Sequence, residues 1–273
     1  MLEKIIFRNH EGESLETAID GIYYKYNDLR DYKWGYSSNG RQITGFNRGI
    51  VEKTVPLVIL CNTEQEGIDI KNKLFMMAEK DVLANQPGRF IVGDYYLLGY
   101  VTGAKMTKYL YTKSYMEVSI TFATSSEYWV KEHIYSFGLS EVTSNKNKRY
   151  AGCYPYRYAN GLSETFLINE HYAECNFRMN IYGPCTKPSV YIGGYGYHFN
   201  IVLQEGEYLE IDSAAETVTK VMNFGIRANA FHYRNFENTV FRPIQTGRQS
   251  ISWDGKFSFD IVLFEERSTP KWS

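Results

Sequence analysis

Over residues 116–123 the chain alternates without a break: Met116, Val118, Ile120 and Phe122 fall on one side, Glu117, Ser119, Thr121 and Ala123 on the other. Successive side chains of an extended backbone leave opposite faces, so a period of two marks a strand with one face buried. A helix would need its apolar residues at a spacing of about 3.6. The stretch just before, YYLLGYVTG at residues 95–103, is a second β-rich run in which Gly99 and Gly103 are expected bulge or turn points. The pair reads as the closing strands of a first domain, because composition changes after Trp129.

The second half repeats the signal. Tyr197, Phe199, Ile201 and Leu203 share one face, as do Phe257, Phe259, Ile261 and Leu263. Short β-rich runs (SETFLI, NFRMNIYG, PSVYIGG, YHFNIVL, EYLEIDS, ETVTKVM, VFRPI, RQSISW and KFSFDIVLFEER) are punctuated by Gly183-Pro184, Gly193-Gly194, Glu205-Gly206, Thr246-Gly247 and Asp254-Gly255. Strands and turns at this spacing predict a sandwich or jelly roll. The 24 Tyr, 16 Phe and 4 Trp point the same way, because aromatic rings fit half-buried strand positions.

One stretch reads as a long helix. Thr63-Glu64-Gln65-Glu66 is a capping box. Ile70, Leu74, Met77 and Ala78 form a helical stripe, widened by Phe75 and Val82, and Asn85 with Pro87-Gly88 stops it. Upstream, KIIFRN is a short strand, and residues 20–50 mix aromatics with Asn-Gly and charge, the composition of hairpins or long loops. VPLVIL at residues 55–60 is expected as a well-buried strand, with Pro56 near its start or at an edge. The expected fold is mainly β with one main helix. An N-terminal α+β domain, a β-sandwich plus helix, spans 1–132; a connection spans 133–162, where the basic run 145–149 reads as a solvated loop; a C-terminal jelly-roll β-sandwich spans 163–273.

Little in the chain points to chemistry. The 30 Lys and Arg and 31 Asp and Glu nearly cancel, which leaves no clustered positive footprint for sequence-specific nucleic-acid binding. No apolar run reaches the roughly 18 residues that span a bilayer, and no signal-peptide core opens the chain, so a soluble protein made in a cytoplasm is expected. Cys61, Cys153, Cys175 and Cys185 form no CxxC; Cys61 reads as a core residue, and a Cys175–Cys185 disulfide stays open although that compartment disfavours it. His10, His133, His171, His198 and His232 show no metal-ligand spacing. His171 and Cys175 are the nearest approach to a catalytic pair, and GGYGY at residues 193–197 reads as a hairpin turn. Glu210 and Asp212 share a strand face about 6–7 Å apart, within glycosidase spacings, but alternating charge is the default for a solvated strand face. We assign no catalytic, cofactor-binding or metal-binding residue and expect no enzyme. Aromatic strand faces can also stack on sugars; Tyr191, Tyr195 and Tyr208 are the candidate glycan contacts, while Trp253 reads more strongly as core.

The order of elements resembles the distal tail protein (Dit) family of long-tailed phages and prophages of Gram-positive bacteria. A short strand, aromatic loops, VPLVIL, one helix ending in PGRF, DYYLLGYVTG and YMEVSITFATSSEYW would form the N-terminal domain. PSVYIGG, GEYLEIDS with ETVTKV, and PIQTGRQSISWDGKFSFDIVLFEER resemble the family's galectin-like jelly-roll domain. The resemblance implies a structural protein of the virion tail tip, assembled through its N-terminal domains as a hexameric ring hub. It also implies partners: further copies of itself, the major tail tube protein, a tail-tip or tail-associated protein, and a receptor-binding protein. Ring closure needs strand edges or aromatic patches free for a neighbour, and Tyr23, Tyr24, Tyr26, Tyr32, Trp34, Tyr109 and Tyr111 are the candidates, with the hairpin tip at 108–114 first among them. A jelly-roll adhesin recognising cell-wall glycans is the alternative reading.

Overall fold

The computed structural model describes residues 4–24, 29–108, 114–125, 128–139 and 166–272, and these form a mainly β protein with one α-helix. The chain divides into two compact units: residues 1–131 with 266–273, and residues 132–265.

In the first unit, β1 (Ile5–Arg8), β2 (Ser14–Glu16), β3 (Ile22–Tyr24), β4 (Gly35–Asn39), β5 (Gln42–Asn47) and β6 (Val51–Leu60) precede α1 (Glu64–Ala84). β7 (Gly88–Val92), β8 (Tyr95–Lys108), β9 (Tyr115–Thr124) and the start of β10 (Trp129–Phe137) follow. The fourteen residues of β8 serve two sheets. Its first half pairs with β7 and its second half with β9, which continues through β6 to β3. The ladder slips at Val101/Gly103, the expected bulge. At Gly99 the requirement is different: a Cβ would run into the Phe122 ring and the Ala123 carbonyl. Ile5, Phe7, Phe90 and Val92 pack against Val55, Leu57, Ile59 and the predicted face of β9, where Met116, Val118, Ile120 and Phe122 are at most 1% exposed. Phe90 and Phe122 meet edge-to-face at 4.5 Å, a contact that ties one sheet to the other. β6 is not buried on both faces as its composition suggests. It alternates, with Val55, Leu57 and Ile59 in the core and Leu60 53% exposed. Pro56 faces Ser119 of β9, and among the described residues β3 pairs only with residues 57–59, so none of them stands opposite Pro56 on that side.

The helix starts and stops where its sequence says. Thr63 Oγ1 accepts from the Glu66 amide at 3.2 Å, and Glu66 accepts in return from the Thr63 amide at 3.3 Å. Asn85 closes it in the left-handed region (φ 51°, ψ 40°), donating to the carbonyls of Asp81 and Val82. Leu74, Met77 and Ala78 are buried, with Ile70 and Phe75 packed beside the core, but Val82 is exposed. The next place on the stripe belongs to Asp81, which is wholly buried. Its Oδ1 accepts from the His10 backbone amide (2.8 Å) and lies 2.6 Å from His10 Nδ1. The β1–β2 hairpin tip is thereby fastened to the helix, and Lys80 adds bridges to Glu11 and Glu13.

In the second unit, β11 (Phe166–Asn169), β12 (Asn176–Tyr182), β13 (Cys185–Thr186), β14 (Ser189–Ile192), β15 (Tyr195–His198) and β16 (Val202–Leu203) precede β17 (Tyr208–Asp212). β18 (Thr217–Val221), β19 (Arg227–Asn229), β20 (Gly247–Ser252) and β21 (Phe259–Arg267) complete it. One sheet runs β19-β18-β17-β12-β21 and on to β10; a second runs β11-β20-β14-β15. Phe177, Met179 and Ile181 of β12, Leu209 and Ile211 of β17, and Phe259, Ile261 and Leu263 of β21 are buried in one core with Val190, Ile192 and Tyr197 of the second sheet. Phe177 and Tyr197 meet edge-to-face at 5.4 Å. The unit is a β-sandwich. VFRPI is not a strand: only Ile244 makes a β-bridge, to Cys175. Pro243 lacks a donor, and the carbonyls of Thr239 and Arg242 are taken by the phenols of Tyr195 and Tyr197 (both 2.8 Å) rather than by a ladder.

Residues 133–137, expected in the connection, extend β10 in the second unit, and residues 266–272, expected in the second domain, belong to the first. Arg30 explains the return of the tail. Its guanidinium donates to the Pro270 carbonyl (2.7 Å) and lies over the Trp272 ring at 3.9 Å, while Arg48 donates to Ser268. The basic run 145–149 and Cys153 fall outside the described residues.

Candidate interaction surfaces

Within the first unit two of the candidate aromatic residues lie beside an arginine. Tyr32 (52% exposed) and Trp34 (39%) flank Arg48, which the sequence reading did not single out. The Arg48 guanidinium lies 4.0 Å from the Trp34 ring, 4.3 Å from Tyr128 and 5.9 Å from Tyr32. The loop beneath is held by Trp129, whose indole donates to the Leu29 carbonyl at 3.2 Å, and by Lys53, which donates to the Asp31 carbonyl. Trp34 also meets Phe46 at 6.2 Å, edge-on.

Phe46 belongs to the β4–β5 hairpin, a separate two-stranded sheet turning at Gly40-Arg41, with Gly40 at φ 61°. Tyr36, Ile43 and Phe46 are 65%, 56% and 66% exposed. Both strands are exposed along nearly their whole length. A two-stranded ribbon is marginal on its own in water, and these exposed residues give this one an apolar surface.

The other candidates separate. Tyr23 is exposed on β3, whereas Tyr24, one residue on, turns to the opposite face and packs against the core. Its side chain is partly buried, a direct result of the strand period. Tyr26, Tyr109 and Tyr111, and the hairpin tip that carries the last two, lie outside the described residues.

Within the second unit the three glycan candidates do not share a face. Tyr191 points to the outer side of the β14–β15 hairpin, its ring 5.1 Å from His198. Tyr195 points to the inner side, beneath the Arg242 guanidinium at 4.6 Å. Tyr208 is on the other sheet, beside Tyr182 at 5.9 Å. Gly193 and Gly194, both at positive φ, form the predicted turn of that hairpin. Trp253 is partly buried against the core: it packs against Phe137 and Phe259 and donates to the Phe257 carbonyl.

The carboxylates of β17 are engaged by cations. Glu210 pairs with Arg227 at 2.5 Å, and Asp212 lies 3.5 Å from Arg178 while accepting from the amides of Ala214 and Ala215. Lys220, 2.7 Å from Glu207, holds that carboxyl below its ordinary range. Cys175 donates to Asn169 Oδ1 (3.2 Å), the atom that also accepts the His171 amide. Cys61, Cys175 and Cys185 are free thiols, and burial pushes Cys185 up to about 11. Among the described residues no His, Cys, Asp or Glu group has the arrangement of a metal site.

The architecture defines a class: a helix-bearing β unit that receives the chain's own C-terminus, joined in sequence to a β-sandwich. No protein-family model and no curated protein matches the sequence. Solved structures do. A chain of the phage P2 baseplate in its activated conformation with Ca has a TM-score of 0.61 at 14% identity, covering 99% of this chain and 100% of that one. The same baseplate with Sr gives 0.61 and 14%, over 98% and 99%. The Dit protein of SPP1, a hub of the adsorption apparatus in phages infecting Gram-positive bacteria, gives 0.58 and 10%, over 98% and 100%. At such identities the shared property is the fold, and it is shared from end to end.

Proposed function

We propose that this chain is a structural hub of a phage tail, located at the virion tail tip and assembled as a ring of six copies through its first unit. It joins the tail tube protein to tail-tip and receptor-binding components. The observation that carries this reading is the end-to-end correspondence with a hub protein and a baseplate chain, which includes both units. The exposed β4–β5 hairpin supplies what a heterologous ring contact needs: an apolar surface unspent on its own fold. Engagement of Glu210 and Asp212 by arginines supports a structural rather than a hydrolytic role for the second unit.

Negative-stain electron microscopy and light scattering of the purified chain, alone and with the tail tube protein of the same phage, test the reading. Six-fold rings are expected. A chain that stays monomeric at high concentration and fails to join the tube protein would overturn it.

A further inference from the structure

The β14–β15 turn, β20 and residues 242–245 line an open pocket in the second unit. Ile192, Ile244 and the buried Tyr197 ring supply its apolar lining, and Arg242, Gln245 and Gln249 its polar groups. The arginine is held from two directions: Tyr197 donates to its backbone carbonyl, and the Tyr195 ring supports its guanidinium. Among the described residues that guanidinium makes no ion pair and no hydrogen bond, so its five N–H donors remain available. The glutamines are less free, since Gln245 donates to Glu174 (2.6 Å) and Gln249 to the Thr246 carbonyl (2.9 Å). These bonds leave their side-chain carbonyls as acceptors. Gly193 completes the wall; any side chain there would strike Gln249 Oε1.

We infer that this pocket binds a small polyol or sugar bearing a phosphate or carboxylate. A planar guanidinium with its donors unspent matches the two oxygens of either anion. The glutamine carbonyls accept from hydroxyls, and the tyrosine and isoleucine lining receives the carbon skeleton. The site lies within one unit of one chain, so its outcome is independent of ring assembly.

The test is calorimetric titration of the full chain in phosphate-free buffer with glycerol 3-phosphate, glucuronate and glycerol. The phosphate or the carboxylate ligand, or both, binds, and glycerol does not; which of them binds identifies the anion. Arg242→Gln, an exposed position, leaves the melting temperature unchanged and weakens binding roughly tenfold or more, as loss of a charge-assisted contact should. Arg242→Lys restores part of it. Failure of both anions to bind, glycerol binding as tightly as they do, or unchanged affinity in Arg242→Gln would overturn the inference.

Discussion

Two hairpins in this chain carry similar turn chemistry and reach opposite ends. β14–β15 turns at Gly193-Gly194 and sends Val190, Ile192 and Tyr197 into the core of the sandwich, each at most 4% exposed. β4–β5 turns at Gly40-Arg41 and sends nothing inside, although Tyr36, Ile43 and Phe46 are as apolar as many core residues. Turn glycines decide that the chain reverses, because only they take the required φ cheaply. They do not decide whether another sheet awaits the hairpin's face. The first hairpin is therefore part of a folding unit. The second is an exposed surface.

That contrast can be broken by substitution. Tyr197→Ala empties a fully packed site and takes away the donor that holds the Arg242 carbonyl. It should cost about 3–5 kcal/mol, read as a lowered urea midpoint for the second unit. A loss under about 1 kcal/mol would mean that the hairpin contributes little to that core. The β1–β2 hairpin is intermediate, being apolar in its strands but tied at its tip by His10 to the buried Asp81. His10→Ala leaves that carboxylate with only one of its two hydrogen bonds and should cost about 3 kcal/mol. Adding Asp81→Asn recovers part of the loss by removing the charge, and a double variant less stable than the single one would refute that account.

How much of this could be read from sequence follows from the range of the interactions. The faces of β9 and β21 and both helix caps are local patterns, and each is where its pattern places it. Residues 81 and 82 show the limit. The sequence pattern widens the stripe to Val82 and does not single out Asp81, yet the partner that makes Asp81 a tolerable core residue lies 71 positions away at His10. Arg48 was invisible for the same reason: its meaning comes from Trp34, Tyr128 and Ser268 together. The glycan tyrosines failed as a group because strand parity and sheet membership separate them, and of the three only Tyr195 reached a pocket with a cation.

If the β4–β5 face is unspent, Phe46→Ser changes stability by no more than about 0.5 kcal/mol. Its effect should instead appear in assembly, as a shift from rings to monomers in light scattering. Loss of the fold in this variant would place Phe46 in the core economy of the first unit; intact rings would remove the hairpin from the interface.

A further effect concerns the solvated face of the second unit, whose polar groups pair with one another where β4–β5 leaves its surface apolar. Tyr182 donates to Asp260 at 2.7 Å. Partial burial, then that bond and the carboxylate's charge, push its phenol up to about 12. The native state thus holds the phenolic proton more tightly than the unfolded chain, whose tyrosine titrates near 10. The resulting stability is fully present below about pH 10 and is lost as pH rises toward 12. Tyr182→Phe removes the bond, at a cost of about 1 kcal/mol near neutrality for a half-exposed pair. It also removes the titration, so the gap between wild type and variant should narrow from pH 10 to pH 12. Urea unfolding at a series of pH values measures it. A gap constant across that range would mean that the bond to Asp260 does not hold the proton.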